Sequence, residues 1–134
     1  MKEIRHELKM HAVPERIFHA LTDKAALERW HGARVSGGPH EWTLAYPDGP
    51  SFRWKVVSAT PQQVTWRCEE GPGNSKGTDV SFTLSDADKG RTLVQLVHRG
   101  WTESDAKFAK CNTFWAVLLG RLQQEAEGFQ VTKR

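Results

Sequence analysis

The sequence contains no run of about eighteen apolar residues, the shortest stretch that spans a membrane as a helix. No membrane span is therefore expected. The opening Met1-Lys2-Glu3-Ile4-Arg5-His6 has no apolar signal region. Cysteine is scarce: Cys68 and Cys111 stand alone, with no Cys-x-x-Cys and no metal-ligand spacing. Cys68 falls in a strand pattern and Cys111 on an apolar helix face, so both are expected as packed thiols in a reducing cytoplasm. The net charge is +3 and the pI near 9.0, yet no run of four basic residues occurs. A nucleic-acid surface gathers its charge on one face or helix. Dispersed charge argues for a solvated surface and no nucleic-acid partner. Internal repeats, linkers and low-complexity segments are also missing. At 134 residues the chain is expected to be one domain, residues 1–134. A domain of that size buries about two thirds of its unfolded surface, enough to fold without a disulfide or metal staple.

What the sequence does have is tryptophan: Trp30, Trp42, Trp54, Trp66, Trp101 and Trp115. Such rings fill cores, and they also line apolar ligand pockets. From residue 102 to about 127, Phe108, Cys111, Trp115, Leu118, Leu119 and Leu122 recur at three-and-four spacing, the mark of one helical face. Thr102 with Asp105 reads as a capping box, and Gly128 as the stop. About twenty-five residues at ~1.5 Å each make a rod of roughly 37 Å, long enough to cross a small domain.

The remaining elements follow from period and punctuation. Residues 3–12 alternate, with Ile4, His6, Leu8, Met10 and Ala12 on one face of a half-buried strand. Pro14 suits the first position of a helix whose stripe is Ile17, Phe18 and Leu21. Thr22-Asp23 caps a second short helix that turns Ala26, Leu27 and Trp30 inward and stops at Gly32. From Arg34 onward the pattern is strand and turn. Five strands follow, carrying Trp42, Leu44 and Tyr46, then residues 51–59, then Val64, Trp66 and Cys68, then Val80, Phe82 and Leu84, then Val94, Leu96 and His98. Short turns between consecutive strands argue for an antiparallel meander. A sheet with one apolar face and a helix with one apolar face bury both by packing together, which predicts a two-layer α+β domain of about six strands.

Several motifs along this order resemble a known superfamily. The segment from Ala12 to Asp23, with Pro14-Glu15, Ile17-Phe18 and Ala20-Leu21-Thr22-Asp23, is similar to the AxPExVFxALTD opening of START-like (SRPBCC) proteins. Leu27-Glu28-Arg29-Trp30 fits the LxxW that follows. Val94 to Trp101, with His98 and Gly100-Trp101, resembles the approach to the final helix, and Trp115, Leu118 and Leu122 fit its WxxxLxxL. The branch resembled is that of the C-terminal domain of the activator of the heat-shock protein 90 ATPase. The resemblance implies a helix-grip fold, a curved antiparallel sheet wrapped around the C-terminal helix with two short helices closing one end. It also implies a space between sheet and helix that often holds an apolar small molecule. The activator proper has a separate N-terminal domain, for which this chain is expected to leave no room.

Candidate functional residues follow from these faces. His6 and His98 lie on inward faces of strands that the implied fold places side by side. They read either as polar groups orienting a ligand or moving a proton, or as satisfied core histidines. For catalysis the core reading is preferred; for pocket lining the two stand level. Trp66 and Trp115 are the tryptophans that best suit a pocket wall, with Trp42 and Trp54 behind them. The expected pocket lining is His6, Leu8, Trp30, Trp66, Val80, Phe82, Leu96, His98, Cys111, Trp115 and Leu119. Asp86 and Asp88 fit a hairpin turn better than a metal site, and His31 and His40 lack a third ligand at useful spacing. No metal, cofactor or assigned catalytic residue is expected. Three functions remain open: a binding module for a hydrophobic or amphipathic small molecule, a cyclase- or hydrolase-like enzyme using an inward histidine, and an interaction protein acting on a chaperone ATPase. A homodimer is a possible assembly.

Overall fold

Alternation in the strands and a three-and-four stripe in the last helix dictate two apolar surfaces, and the chain folds by bringing them face to face. In a computed structural model, residues 2–102 and 106–128 are described. The order is β1 (Lys2–Met10), α1 (Pro14–Thr22), α2 (Lys24–His31), β2 (Arg34–Gly37), β3 (Glu41–Ala45), β4 (Ser51–Thr60), β5 (Gln63–Glu70), β6 (Asp79–Asp86), β7 (Thr92–Trp101) and α3 (Ala106–Ala126). Among the described residues the strands form one antiparallel sheet ordered β1-β7-β6-β5-β4-β3-β2. The sheet is the curved, open sheet of a helix-grip fold, with α3 across its concave side.

The helices begin and end for local reasons. Pro14 occupies the start of α1, where its missing N–H costs nothing. The Asp23 carboxylate caps α2 by accepting from the Ala26 N–H at 3.0 Å. Gly32 closes α2 in the left-handed conformation at φ 66°. A Cβ there would meet only the mobile tip of Arg121, 3.0 Å away, so it is the backbone rather than space that calls for glycine. In α3, Cys111, Trp115, Leu118, Leu119, Leu122 and Ala126 are buried. Its 21 residues span about 31 Å, a little less than the rod expected. Asp105 of the expected capping box lies outside the described residues.

Seven strands are found where about six are expected. The addition is β2, whose inward residue is Val35 alone. One apolar residue cannot establish a period of two. The strand forms because it pairs with β3 and because the Glu28 carboxylate of α2 accepts from the Val35 N–H at 2.9 Å. The outer sheet face is polar, as in the Thr65–Ser81 hydroxyl pair and the Arg67–Asp79 ion pair. Irregular pairing in β4 leaves Val57 unmatched and half exposed between Val56 and Ser58, a bulge that bends the strand.

Candidate functional site

His98 sits at the centre of the sheet–α3 interface, and its hydrogen bonds determine its chemistry. Trp115 Nε1, which can only donate, gives a bond of 2.9 Å to His98 Nδ1. Nδ1 is therefore the bare nitrogen and Nε2 carries the proton. That proton is donated to Thr78 Oγ1 at 2.7 Å, and the Thr78 hydroxyl in turn donates to the Ser75 carbonyl at 2.6 Å. The chain runs in one direction from α3, through β7, to the turn before β6. Burial lowers the His98 pKa to about 4, although Asp79 pulls the other way. A general base needs a lone pair facing substrate. Both His98 nitrogens are committed inside the core, so the residue locks α3 to the sheet.

Around this relay the rings form a continuous wall. Trp115 lies within 6.4 Å, centroid to centroid, of Trp54, Phe82, His98 and His31. Trp66 packs on Trp54 at 5.8 Å and Phe82 at 5.5 Å, and Trp30 meets Phe82 edge-on. The expected pocket residues Trp30, Trp66, Val80, Phe82, Leu96, His98, Cys111, Trp115 and Leu119 are thus buried on facing surfaces. Register explains part of this: Val80 stands opposite both Trp66 on β5 and His98 on β7. His6 and Leu8 face the same way but lie on edge strand β1 and are only half buried. The His6 ring bonds to the Asn112 side chain on α3 at 2.9 Å. It sits opposite Leu96, two residues along from the Ile4–His98 pair.

The sequence reading passed over a second polar pair in this wall. His31, at the end of α2, is buried, and its Nδ1 lies 2.6 Å from Tyr46 Oη. Burial lowers the His31 pKa to about 3, with help from the nearby Arg121 charge, and burial raises that of Tyr46. Both are neutral at pH 7. His31 Nε2 has no hydrogen-bond partner among the described residues, and neither has Trp66 Nε1 or Trp101 Nε1. A burial signal was available for His31, since it lies four residues after the inward Leu27, on the same helical face. Nothing local announced its bond to Tyr46, 15 residues away.

Two clefts flank Tyr46. One, of about 230 Å³, is lined by Pro50, Phe52, Pro72, Lys110, Cys111 and Phe114 at the first turns of α3. The other, of about 470 Å³, is bounded by Glu28, Arg34 and Tyr46 among others and is more polar. Tyr46 lines the polar cleft and packs on two rings of the apolar one, Phe114 at 5.1 Å and Phe52 at 6.2 Å. Of the expected pocket residues only Cys111 lines the apolar cleft; Phe52 and Phe114 were not anticipated there. The second thiol, Cys68, is pushed up to about 11 by burial, which makes it an inert core group. Among the described residues no group of three or more His, Cys, Asp or Glu is placed to hold a metal, and no helix is long and apolar enough to cross a membrane.

Comparison with known proteins agrees with this architecture. Residues 11–127 match the family described as Activator of Hsp90 ATPase homolog 1-like protein. The chain is similar to the Aha1 dimer from Colwellia psychrerythraea, known from a solution structure, at 30% identity and a TM-score of 0.86, covering 97% of this chain and 99% of that one. A protein from Mesorhizobium loti (18% identity, TM-score 0.79, 94% and 97% covered) and one from Bacillus halodurans (20%, 0.71, 94% and 97%) share the fold. No curated protein matches the chain. The ordered motifs, the sheet closed over α3 and the match across residues 11–127 lead to one conclusion: the chain belongs to the Activator of Hsp90 ATPase homolog 1-like family, as a START-like domain.

Proposed function

We propose that this domain binds a hydrophobic or amphipathic small molecule at the border between the sheet and α3. The carrying observation is the apolar cleft beside Cys111, Phe52 and Phe114, which adjoins the aromatic wall through Tyr46. Its volume of about 230 Å³ lies just below the ~300–1,000 Å³ usual for ligand sites. That size favours a molecule of one or two rings or a short acyl chain over a long lipid. The other expected lining residues, from Trp30 to Leu119, then form the wall behind the ligand. Native mass spectrometry and thermal shift against short acyl compounds and bicyclic aromatics test the reading. A one-to-one adduct and a raised melting temperature are expected, both lost in Phe114→Glu. A panel that yields neither refutes it.

The family description favours a second reading, in which the domain acts on a chaperone ATPase in the cytoplasm. It predicts that the purified protein alters the ATPase rate of a bacterial Hsp90; an unchanged rate removes it. The Colwellia psychrerythraea relative is a dimer, and a homodimer is the assembly we expect here, to be read by light scattering.

A further inference from the structure

We propose that two copies of this chain associate through β1, the two strands pairing antiparallel about a two-fold axis at His6. This rests on the homodimer expected above and names its interface. β1 is an edge of the sheet, with β7 as its one neighbour among the described residues. It is nine residues long, whereas β2 at the other edge has four. A long edge offers a row of main-chain N–H and C=O groups to any passing strand, and proteins commonly guard such edges by shortening them or studding them with lysine. β1 is neither short nor of one sign. Its outward residues Glu3, Arg5, Glu7 and Lys9 are all exposed, and acid alternates with base. On β7 the residues opposite Arg5, Glu7 and Lys9 are Val97, Gln95 and Leu93, none of them charged. Arg5 also reaches Glu3 within its own strand, an exposed pair that competes weakly. The charge row is thus open to a strand laid along the outer side.

A second copy of β1 matches that row in one register. With His6 on the axis, Glu3 stands opposite Lys9 of the second copy and Arg5 opposite Glu7, and symmetry gives each pair twice. On the inward side Ile4 stands opposite Leu8, which is only half buried in the single chain. The full length of the strand is paired. With Arg5 on the axis, Arg5 faces itself and Glu3 faces Glu7. With Glu7 on the axis, Glu7 faces itself and Arg5 faces Lys9. An axis between two residues sets inward side chains opposite outward ones and loses the shared apolar face. An axis at Ile4 or Leu8 leaves nearly half of each strand unpaired. Opposite charges directly across a strand pair stabilise it and like charges destabilise it. Charge, apolar face and length therefore all select the register at His6, and the two sheets continue into one.

The test is sedimentation equilibrium on the full chain, with a charge reversal and its rescue. Glu7→Lys turns both Arg5–Glu7 contacts repulsive and is expected to weaken the dimer about tenfold or more. Adding Arg5→Glu to Glu7→Lys restores opposite charges across the axis, and dimer affinity is expected to return close to that of the unaltered chain. Main-chain amides of β1 should also exchange more slowly as protein concentration rises. A dimer unmoved by Glu7→Lys, or a double variant no tighter than the single one, places the interface elsewhere and overturns the proposal while the homodimer stands. A chain that stays monomeric up to millimolar concentration removes the homodimer and this proposal with it. Should Glu7→Lys not fold, exchange in the unaltered protein decides: β1 protection that rises with concentration supports the pairing, and protection independent of it refutes the pairing.

Discussion

Acid should weaken this fold well before its carboxylates are protonated, because two histidines are buried neutral. His98 has a pKa of about 4 and His31 of about 3, against 6.5 for the exposed group. A lowered histidine pKa means that the unfolded chain binds more protons, so stability rises with pH. The loss begins as pH falls through 6.5 and continues until it passes each folded value. Between pH 7 and pH 5 each unfolded imidazole gains most of a proton that its folded counterpart refuses. That amounts to about 2 kcal/mol per histidine and about 4 kcal/mol for the pair. Against a typical stability of ~5–15 kcal/mol, the shift is large. The assay is urea unfolding followed by tryptophan fluorescence at pH 7, 6 and 5. His98→Gln removes one titrating group and is expected to cut the pH-dependent loss by about half, whatever it does to stability at pH 7. Equal stability at pH 7 and 5, or an undiminished loss in His98→Gln, would refute the assignment of these residues as buried and neutral.

Other substitutions probe the same interface. Trp115→Phe strips the donor from His98 Nδ1 and leaves a buried acceptor unsatisfied, whereas Trp66→Phe removes an N–H that has no partner; the first should cost about 1–3 kcal/mol more than the second in urea unfolding. Gly120→Ala meets no atom within 4 Å and should stabilise the helix by about 0.5–1 kcal/mol, seen as a raised unfolding midpoint. Gly71→Ala should destabilise measurably in the same assay, since its Cβ would fall 2.5 Å from Ser75 Oγ and 3.0 Å from Cys68 Sγ. A thiol reagent should label Cys111, on the wall of the cleft, faster than Cys68, and a cleft ligand should slow only the Cys111 reaction.

The sequence by itself determined the order of elements and the face each one buries. Alternation in β1, β6 and β7 and the stripe from Cys111 to Leu122 are local periodicities, readable within a window of ten residues. The ordered motifs around Pro14, Trp30 and His98 were enough to indicate the superfamily. Local pattern failed at β2, which has one inward residue and owes its existence to its neighbours. It also failed on the polar atoms. That His98 is a locked neutral imidazole depends on Trp115, 17 residues away, and Thr78, 20 away in the other direction. That His31 bonds Tyr46, and that Trp66 keeps an unpartnered N–H beside it, emerges only when α2, β3 and β5 meet. The clefts have the same origin, since Phe52, Pro72 and Phe114 come from three separate elements of the chain. Periodicity says which way a side chain points. Which atoms it meets there is decided by packing between segments distant in the chain.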